Sequence, residues 1–252
     1  MSGPVGVILA AGRGSRLGHH TEDRPKCLVE LGGSTLLDHQ RTALAAAGIE
    51  RIVAVTGYRS ELIEATGIET VRSSRWSQTN MVGTMRLALE TLPPPYVFSY
   101  SDIVYGADPV RSLIRSQGDL AITYDVCWEE QWRARFDDPA TDAESFAVGP
   151  DGAVIDIGHP ITDLHSVQGQ FMGLLAVTAQ GRHWILDHLG QDAADCSLDT
   201  TTLLRQLIAR GRRVQGIPVE GGWAEIDTPR DLAHASRLLA AGMLETEEAG
   251  SW

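Results

Sequence analysis

Short apolar runs alternate with longer amphipathic stretches through the first half of the chain. Val5 to Leu9 is continuous and apolar, which suits a strand buried on both faces. A glycine-bearing loop follows, from Ala10 to Gly18. Ser34 to Ala47 predicts a helix, with Ser34 as N-cap, an apolar stripe of Leu36, Leu37, Leu44 and Ala47, and Gly48 as the stop. Ile52 to Thr56 predicts the next buried strand. Thr79 to Leu92 predicts a second long helix, ended by Pro93-Pro94-Pro95, and Tyr96 to Tyr100 a third strand that ends at Ser101-Asp102. This alternation predicts an α/β fold, a mostly parallel sheet with helices on both faces. In such sheets ligands sit beyond the carboxyl ends of the strands. The glycine loop, Thr56-Gly57-Tyr58 and Ser101-Asp102 all lie at such ends.

From about Asp119 the pattern changes. Leu120 to Val126 reads as a strand, and Cys127 to Arg135 is rich in tryptophan and charge. Phe146 to Val148, the turn Gly149-Pro150-Asp151-Gly152 and Val154 to Ile157 predict a small antiparallel hairpin. Phe171 to Val177 is another strand, Arg182 to Leu189 and Leu198 to Arg210 are helices, and Val214 to Val219 and Trp223 to Ile226 are short strands. Thr228-Pro229-Arg230-Asp231 opens a final helix, with Thr as N-cap and Pro at the first position. The tail from Glu245 to Trp252 is expected to fray. Neither a repeat nor a linker interrupts residues 1–252, so a single domain is expected. It would have a regular half (1–118), an elaborated half (119–240) and a tail (241–252).

Composition narrows the chemistry. The 252 residues carry a formal net charge of −12, which disfavours nucleic acid and anionic membranes as partners. No apolar run reaches the roughly 18 residues that span a bilayer, and no signal peptide is recognised. Cys27, Cys127 and Cys196 are far apart and form no C-x-x-C pair, so three free thiols in a reducing, cytoplasmic setting are expected. Nothing decides the oligomeric state, and a homodimer is left open. Of the 21 basic residues, 20 are arginine and one is lysine, at Lys26. An ammonium sits among phosphate oxygens as a compact point charge, where a planar guanidinium fits less well.

Lys26 lies close to the glycine loop. Leu9-Ala10-Ala11-Gly12-Arg13-Gly14-Ser15-Arg16 follows a strand, and Gly12 and Gly14 let the backbone turn its N–H groups toward an anion. Arg13, Arg16, Arg24 and Lys26 add four cations. Gly12, Gly14 and Gly18 are spaced G-x-G-x-x-x-G, which is not the dinucleotide fingerprint, and the G-K-S/T of a Walker loop is absent.

Leu-Ala-Ala-Gly-x-Gly-x-Arg followed by Pro25-Lys26 resembles the signature loop of the nucleotidyltransferases that activate sugar phosphates and polar head groups. The resemblance continues through Leu31-Gly32-Gly33, Thr35-Leu36-Leu37, Val55-Thr56-Gly57-Tyr58 and Trp223-Ala224-Glu225-Ile226-Asp227-Thr228-Pro229. Thr79-Asn80-Met81, Asp142-Ala143-Glu144 and Phe171-Met172-Gly173-Leu174 resemble most the phosphocholine and phosphonate cytidylyltransferases. It implies a Rossmann-like sheet of the nucleotide-diphospho-sugar transferase type. Residues 1–118 would then bind the nucleotide, CTP above others, and 119–240 the acceptor. The loop backbone and Arg16 would hold the triphosphate, and Lys26 would contact the phosphates near the scission point. Asp102 and Asp227 would hold Mg2+, with Glu225 beside it. Independently, hard oxygen ligands suit Mg2+, although an aspartate at a strand end is commonly just solvated. Leu9, Ala10, Ala11, Gly12, Arg13, Gly14, Ser15, Thr56, Gly57, Asn80, Thr84 and Ser101 are expected around the nucleotide.

The acceptor site is less legible. Trp128, Trp132 and Phe136 lie four apart on one helical face, close to Tyr124, Asp125, Glu129 and Glu130. They form either an ammonium-binding pocket through cation–π contact or ordinary core. Asp142, Glu144, Gln170, Asp199 and Glu225 are weaker acceptor candidates from the resemblance, and Asn80 serves either a ligand or a helix N-cap. Many relatives in the family carry an acid and Tyr where this chain has Gln170 and Phe171, so a neutral or hydroxylated phosphonate gains ground over choline. No nucleophile stands out, since Ser101 and Cys27 lack activating partners. Two readings compete with a cytidylyltransferase: a sugar-1-phosphate nucleotidyltransferase, and a catalytically silent nucleotide-binding module.

Overall fold

A computed structural model describes residues 3–190 and 197–247. β1 (Val5–Ala10) is buried at every position, as its unbroken apolar run requires. There follow β2 (Glu30–Leu31), β3 (Ser34–Thr35), α1 (Leu36–Ala46), β4 (Arg51–Thr56), α2 (Ser60–Glu64), β5 (Glu69–Arg72), α3 (Met81–Thr91), β6 (Tyr96–Tyr100), β7 (Ile103–Val104) and α4 (Ala107–Arg115). The second half adds β8 (Leu120–Asp125), α5 (Trp128–Arg135), β9 (Glu144–Val148), β10 (Val154–Pro160), β11 (Gln170–Val177), α6 (Ala179–Leu189), α7 (Thr200–Ala209), β12 (Gln215–Val219), β13 (Ala224–Glu225) and α8 (Pro229–Ala240).

Seven strands form one sheet in the order β12-β8-β11-β6-β1-β4-β5. β1 runs parallel to β4 and β6, β4 to β5, and β8 to β12; only β11 is antiparallel to its neighbours. The expected mostly parallel sheet therefore forms, with β9–β10 as a small antiparallel addition. β4 lies on one side of β1 and β6 on the other, so the strand order reverses at β1. The crevice beyond the carboxyl ends of β1 and β6 is where such a sheet receives a ligand. Core residues of both halves, Ile8 and Phe98 with Leu174 and Leu203, join in one apolar cluster. A second cluster of Leu17, Leu36, Val104, Ile226 and Ala235 fastens the segment after β1 to α8. Burying Leu17 completely contributes about 1.5–3 kcal/mol to that attachment.

Several boundaries differ from expectation. The N-cap of α1 is Thr35, not Ser34: Thr35 and Asp38 close a capping box, while Ser34 pairs with Leu31 in β3. α3 starts at Met81 with Asn80 as its cap. α2, β5 and α4 were outside the elements predicted from the pattern. The described part of the tail, residues 245–247, is held rather than frayed: Leu244 is buried, the Glu245 N–H donates to Gly222 O at 2.9 Å, and Glu247 Oε1 accepts from Ala107 N at 3.0 Å, while residues 248–252 lie outside the described residues. These contacts satisfy the first N–H of α4. No helix among the described residues is long and apolar enough to cross a membrane.

Cys27 and Cys127 are free thiols; Cys196 lies outside the described residues. Burial pushes the Cys27 thiol up to about 12, whereas Cys127 is exposed. Native alkylation at neutral pH, followed by peptide mass spectrometry, is expected to label Cys127 and leave Cys27 unmodified. Desolvation and then Asp125, Glu220 and Glu130 raise the Cys127 thiol too, so its labelling should accelerate with pH.

Candidate active site

The loop after β1 is built around Gly14. Its backbone is left-handed, with φ 74°, and a Cβ there would stand 2.6 Å from Lys26 Cβ. The lysine stem occupies the space that a side chain at Gly14 would take. The second glycine of the loop and the single lysine thus form one structural unit. Thr21 Oγ1 donates to Gly14 O at 2.9 Å and fixes the turn. A Gly14→Ala substitution is expected to cost about 1–2 kcal/mol from the backbone alone and to displace Lys26. Denaturant unfolding would read the first effect and turnover the second.

Lys26 points inward, where its ammonium lies 2.8 Å from Asp102 Oδ2 and also bonds Asp227 Oδ1. Arg16 Nη2 sits 2.8 Å from Asp227 Oδ2, on a side chain 68% exposed. Burial disfavours the charged lysine, but Asp102 and Asp227 outweigh it and hold its pKa above the ordinary value. Burial likewise opposes an ionised Asp227, and Lys26 and then Arg16 overcome it, so its carboxyl stays below the usual range. Sequence reasoning expected Lys26 on the phosphates. The structure pairs it with carboxylates, as a buried cation requires.

Asp102 and Asp227 are brought together by two short strands: β7, which was not expected, and β13, which falls within the strand expected over Trp223 to Ile226. β7 pairs antiparallel with β13, opposing Glu225 to Ile103, and the Ile226 N–H donates to Asp102 O at 2.8 Å. Gln40, fully buried on α1, donates to Tyr100 O at 2.9 Å and Ile103 O at 2.7 Å, holding the bend around Asp102. Carboxylate oxygens of Asp102, Glu225 and Asp227 lie within 4.8 Å of one another. Asp102 Oδ1 is buried with no hydrogen-bond partner. An oxygen-only donor set with one unsatisfied buried oxygen fits a hard divalent cation such as Mg2+. Burial, reinforced by Asp102 and Asp227 and resisted by Arg135, pushes the Glu225 carboxyl up to about 7.

The other expected nucleotide residues lie at the carboxyl ends of β1, β4 and β6, in the loop after β1 and at the start of α3. Leu9, Ala10 and Ala11 are buried, while Gly12, Arg13 and Ser15 are exposed in the loop. The Tyr58 N–H donates to Ala11 O at 3.0 Å, and the Arg13 guanidinium lies 5.5 Å from the Tyr58 ring. Gly57 cannot carry a Cβ, which would meet Trp76 at 2.4 Å and Ala11 O at 2.6 Å. Thr56 is fully buried with its hydroxyl unpaired, and Ser101 is 8% exposed beside Asp102. Asn80 caps α3 by accepting from Val82 N at 3.2 Å, and its amide also donates to Ser197 O. The Thr84 hydroxyl donates to Asn80 O at 3.2 Å.

A cavity of 220 Å³ lies on the second half, lined by Tyr100, Trp132, Phe171 and the carboxylates of Asp142, Glu144 and Asp199. Trp132 Nε1 donates to Asp142 Oδ2 at 3.1 Å. Trp128 is 3% exposed and packs edge-on against Trp132, at 5.9 Å between ring centroids. The tryptophan spacing thus serves both core and cavity wall. Gln170 also lines the cavity, but its amide is spent on Glu144 N at 3.1 Å and Glu144 O at 2.6 Å, stapling β9 to β11. Asp199 caps α7 by accepting from Thr202 N at 2.6 Å. Burial raises the Asp142 carboxyl, opposed by Arg135 and aided by Asp227. Burial also raises that of Glu144, which Thr201 lowers and Asp199 and Asp142 raise further. Sequence reasoning missed Arg135 and Asp231, described below. Asp231 had a signal, as the acid three residues after the Thr228 cap; Arg135 had none.

Residues 6–133 match the MobA-like NTP transferase domain. The chain belongs to this family. It is a nucleotidyltransferase, as the loop from Val7 to Lys26 implies. Similar proteins include the CTP:phosphoglutamine cytidylyltransferase of Campylobacter jejuni, 31% identical over 90% of this chain and 96% of that protein. The choline-phosphate cytidylyltransferase of Streptococcus pneumoniae is 32% identical over 39% of this chain and 45% of its own length. The N-acetylmuramate alpha-1-phosphate uridylyltransferase of Caulobacter vibrioides is 27% identical over 94% and 98%. Among solved structures, the inositol-1-phosphate CTP transferase of T. maritima aligns with a TM-score of 0.76 at 19% identity, covering 95% of this chain and 96% of that one. That likeness concerns the fold of this NTP transferase.

Proposed function

We propose that this nucleotidyltransferase moves CMP from CTP to a small acceptor that carries a phosphate or phosphonate at one end and an ammonium at the other, releasing pyrophosphate. The observation that carries the reading is the convergence of Arg16, Lys26, Asp102, Asp227 and Glu225 in the crevice where strand order reverses. Relatives named for CTP support the choice of nucleotide.

An oxygen of the acceptor's phosphate attacks the α-phosphorus of CTP, and the bond to the bridging oxygen of the β-phosphate breaks. The attacking oxygen is already anionic, so no base is needed, and catalysis is positioning and charge neutralisation. Asp102 and Asp227, with Glu225 beside them, would hold Mg2+, which supplies positive charge to the phosphate oxygens when bound. Arg16, exposed at the crevice mouth, engages the triphosphate, and the loop N–H groups after β1 do the same. Lys26 keeps the aspartates ionised and places its own charge against the transferred group.

The acceptor reading rests on the cavity. Asp142 and Glu144 are both raised by burial, so an entering ammonium would relieve an unfavourable carboxylate cluster, with Trp132, Tyr100 and Phe171 as aromatic walls. The missing acid at Gln170 is offset by three others nearby. This favours 2-aminoethylphosphonate or phosphocholine over 2-hydroxyethylphosphonate. A pyrophosphate-release screen with Mg2+ tests it, crossing the four nucleoside triphosphates with these three acceptors and several sugar 1-phosphates. CTP with an ammonium-bearing acceptor is expected to give turnover. Release with sugar phosphates alone would overturn the acceptor reading, and no release from any pair would overturn the reaction.

A further inference from the structure

Arg135 is the side chain that the proposed chemistry leaves unused. It is 1% exposed at its side chain, on the last turn of α5. Its Nη1 donates to Glu225 Oε2 at 2.6 Å and its Nε to Asp231 Oδ1 at 3.2 Å. Asp231 in turn accepts with Oδ2 from Asp227 N at 3.0 Å and Thr228 N at 2.8 Å. One guanidinium therefore reaches the Glu225 carboxylate directly and the Asp227 backbone through Asp231. Gln131, one turn earlier, accepts from Glu225 N at 3.1 Å. The guanidinium also lies 5.1 Å from the Trp132 ring and 5.0 Å from Phe136, which shield it from water.

Burying a guanidinium is costly unless its charge is paired and hydrogen-bonded. Here a planar fork spans two carboxylates on different elements, β13 and α8, a geometry that a lysine point charge cannot reproduce. Glu225 lies on β13 and Asp227 in the connection between β13 and α8, and α5 also presents Trp132 to the acceptor cavity. We propose that Arg135 is a positioning residue that holds Glu225 and, through Asp231, Asp227 in register for a divalent cation. The proposal rests on the reading that this carboxylate cluster binds such a cation. Groups of this kind behind metal ligands typically account for a 10–100-fold change in metal affinity.

The test is direct Mn2+ binding to the metal-free protein, followed by electron paramagnetic resonance, together with the Mg2+ dependence of turnover. Arg135→Lys and Arg135→Met are expected to weaken Mn2+ binding and to raise the Mg2+ needed for half-maximal turnover by about 10–100-fold. The KM for the triphosphate at saturating Mg2+ should stay near wild type. Asp231→Asn keeps an oxygen for the Thr228 and Asp227 N–H groups and loses the charge facing Arg135. It should shift both readouts in the same direction by less, and it remains informative if an Arg135 variant does not fold. Variants that fold and bind Mn2+ like wild type would overturn the role of Arg135. A wild-type protein that binds no Mn2+ would overturn the metal reading itself, and this role with it.

Discussion

Replacing Lys26 with methionine should lower turnover by about 10²–10³-fold, the loss seen when one preorganised charge-stabilising group is removed. Methionine keeps an unbranched stem against Gly14, so the loop should hold its course; alanine would leave a void there as well. Pyrophosphate release measures the loss, and circular dichroism checks that the fold survives. A second effect separates this site from an ordinary surface ion pair. The lysine is 8% exposed and faces two carboxylates that are 13% and 9% exposed, so its removal leaves Asp102 and Asp227 repelling one another with Arg16 as remaining partner. Breaking a buried pair costs about 3–5 kcal/mol. The metal-free variant should therefore melt well below wild type, and Mg2+ should restore more of its stability than it adds to wild type. Pyrophosphate release at the wild-type rate would sink the assignment of Lys26.

The loop from Val7 to Lys26 was legible because its parts are neighbours in sequence. A glycine that must be left-handed and a lysine in a chain otherwise served by arginine are both visible before any fold is known. The sheet was legible for the same reason, since period and length separate β1, β4 and β6 from α1 and α3. The pattern placed Asp102 at a strand end that faces a ligand, whereas its metal-holding role with Asp227 came from the family resemblance. β7 has two residues, and no pattern exists at that length; β13 falls within the strand expected over Trp223 to Ile226, but its pairing with β7 has no signal in the sequence. Asn80 was left between two roles, because a cap and a ligand-binding residue call for the same short polar side chain at the same place; Asp199, expected at the acceptor, is a cap of that kind in the structure. Gln170 is similar: its amide is absorbed by backbone groups of β9, which only the pairing of distant strands reveals. Arg135 had the weakest signal of all. In sequence it is one arginine among 20, and its role comes from burial between two carboxylates ninety or more positions away.

Asp102→Asn separates catalysis from stability more sharply than any other change at the site. Asp102 Oδ1 is buried without a partner, and Glu225 and Asp227 crowd it with like charge. Asparagine keeps the shape and one carbonyl oxygen for Lys26 while removing a negative charge. The metal-free variant should therefore lose less stability than the Lys26→Met protein, since Asp227 still neutralises the lysine, yet turnover should fall by about 10²-fold or more, because a carboxylate proposed to hold charge at the reacting phosphates is gone. Asp227→Asn should also lose turnover, but with a larger loss of stability, since Lys26 and Arg16 both rely on that carboxylate. If the two aspartates act as one metal-holding unit, the double variant should be scarcely slower than either single one, as groups that act together give non-additive losses. Strictly multiplicative losses would indicate that they act separately. Chelation with EDTA should abolish wild-type turnover, and added Mg2+ should return it. The Asp102→Asn protein should need far more Mg2+ to reach its own lower maximum, which a titration of pyrophosphate release against Mg2+ would read directly.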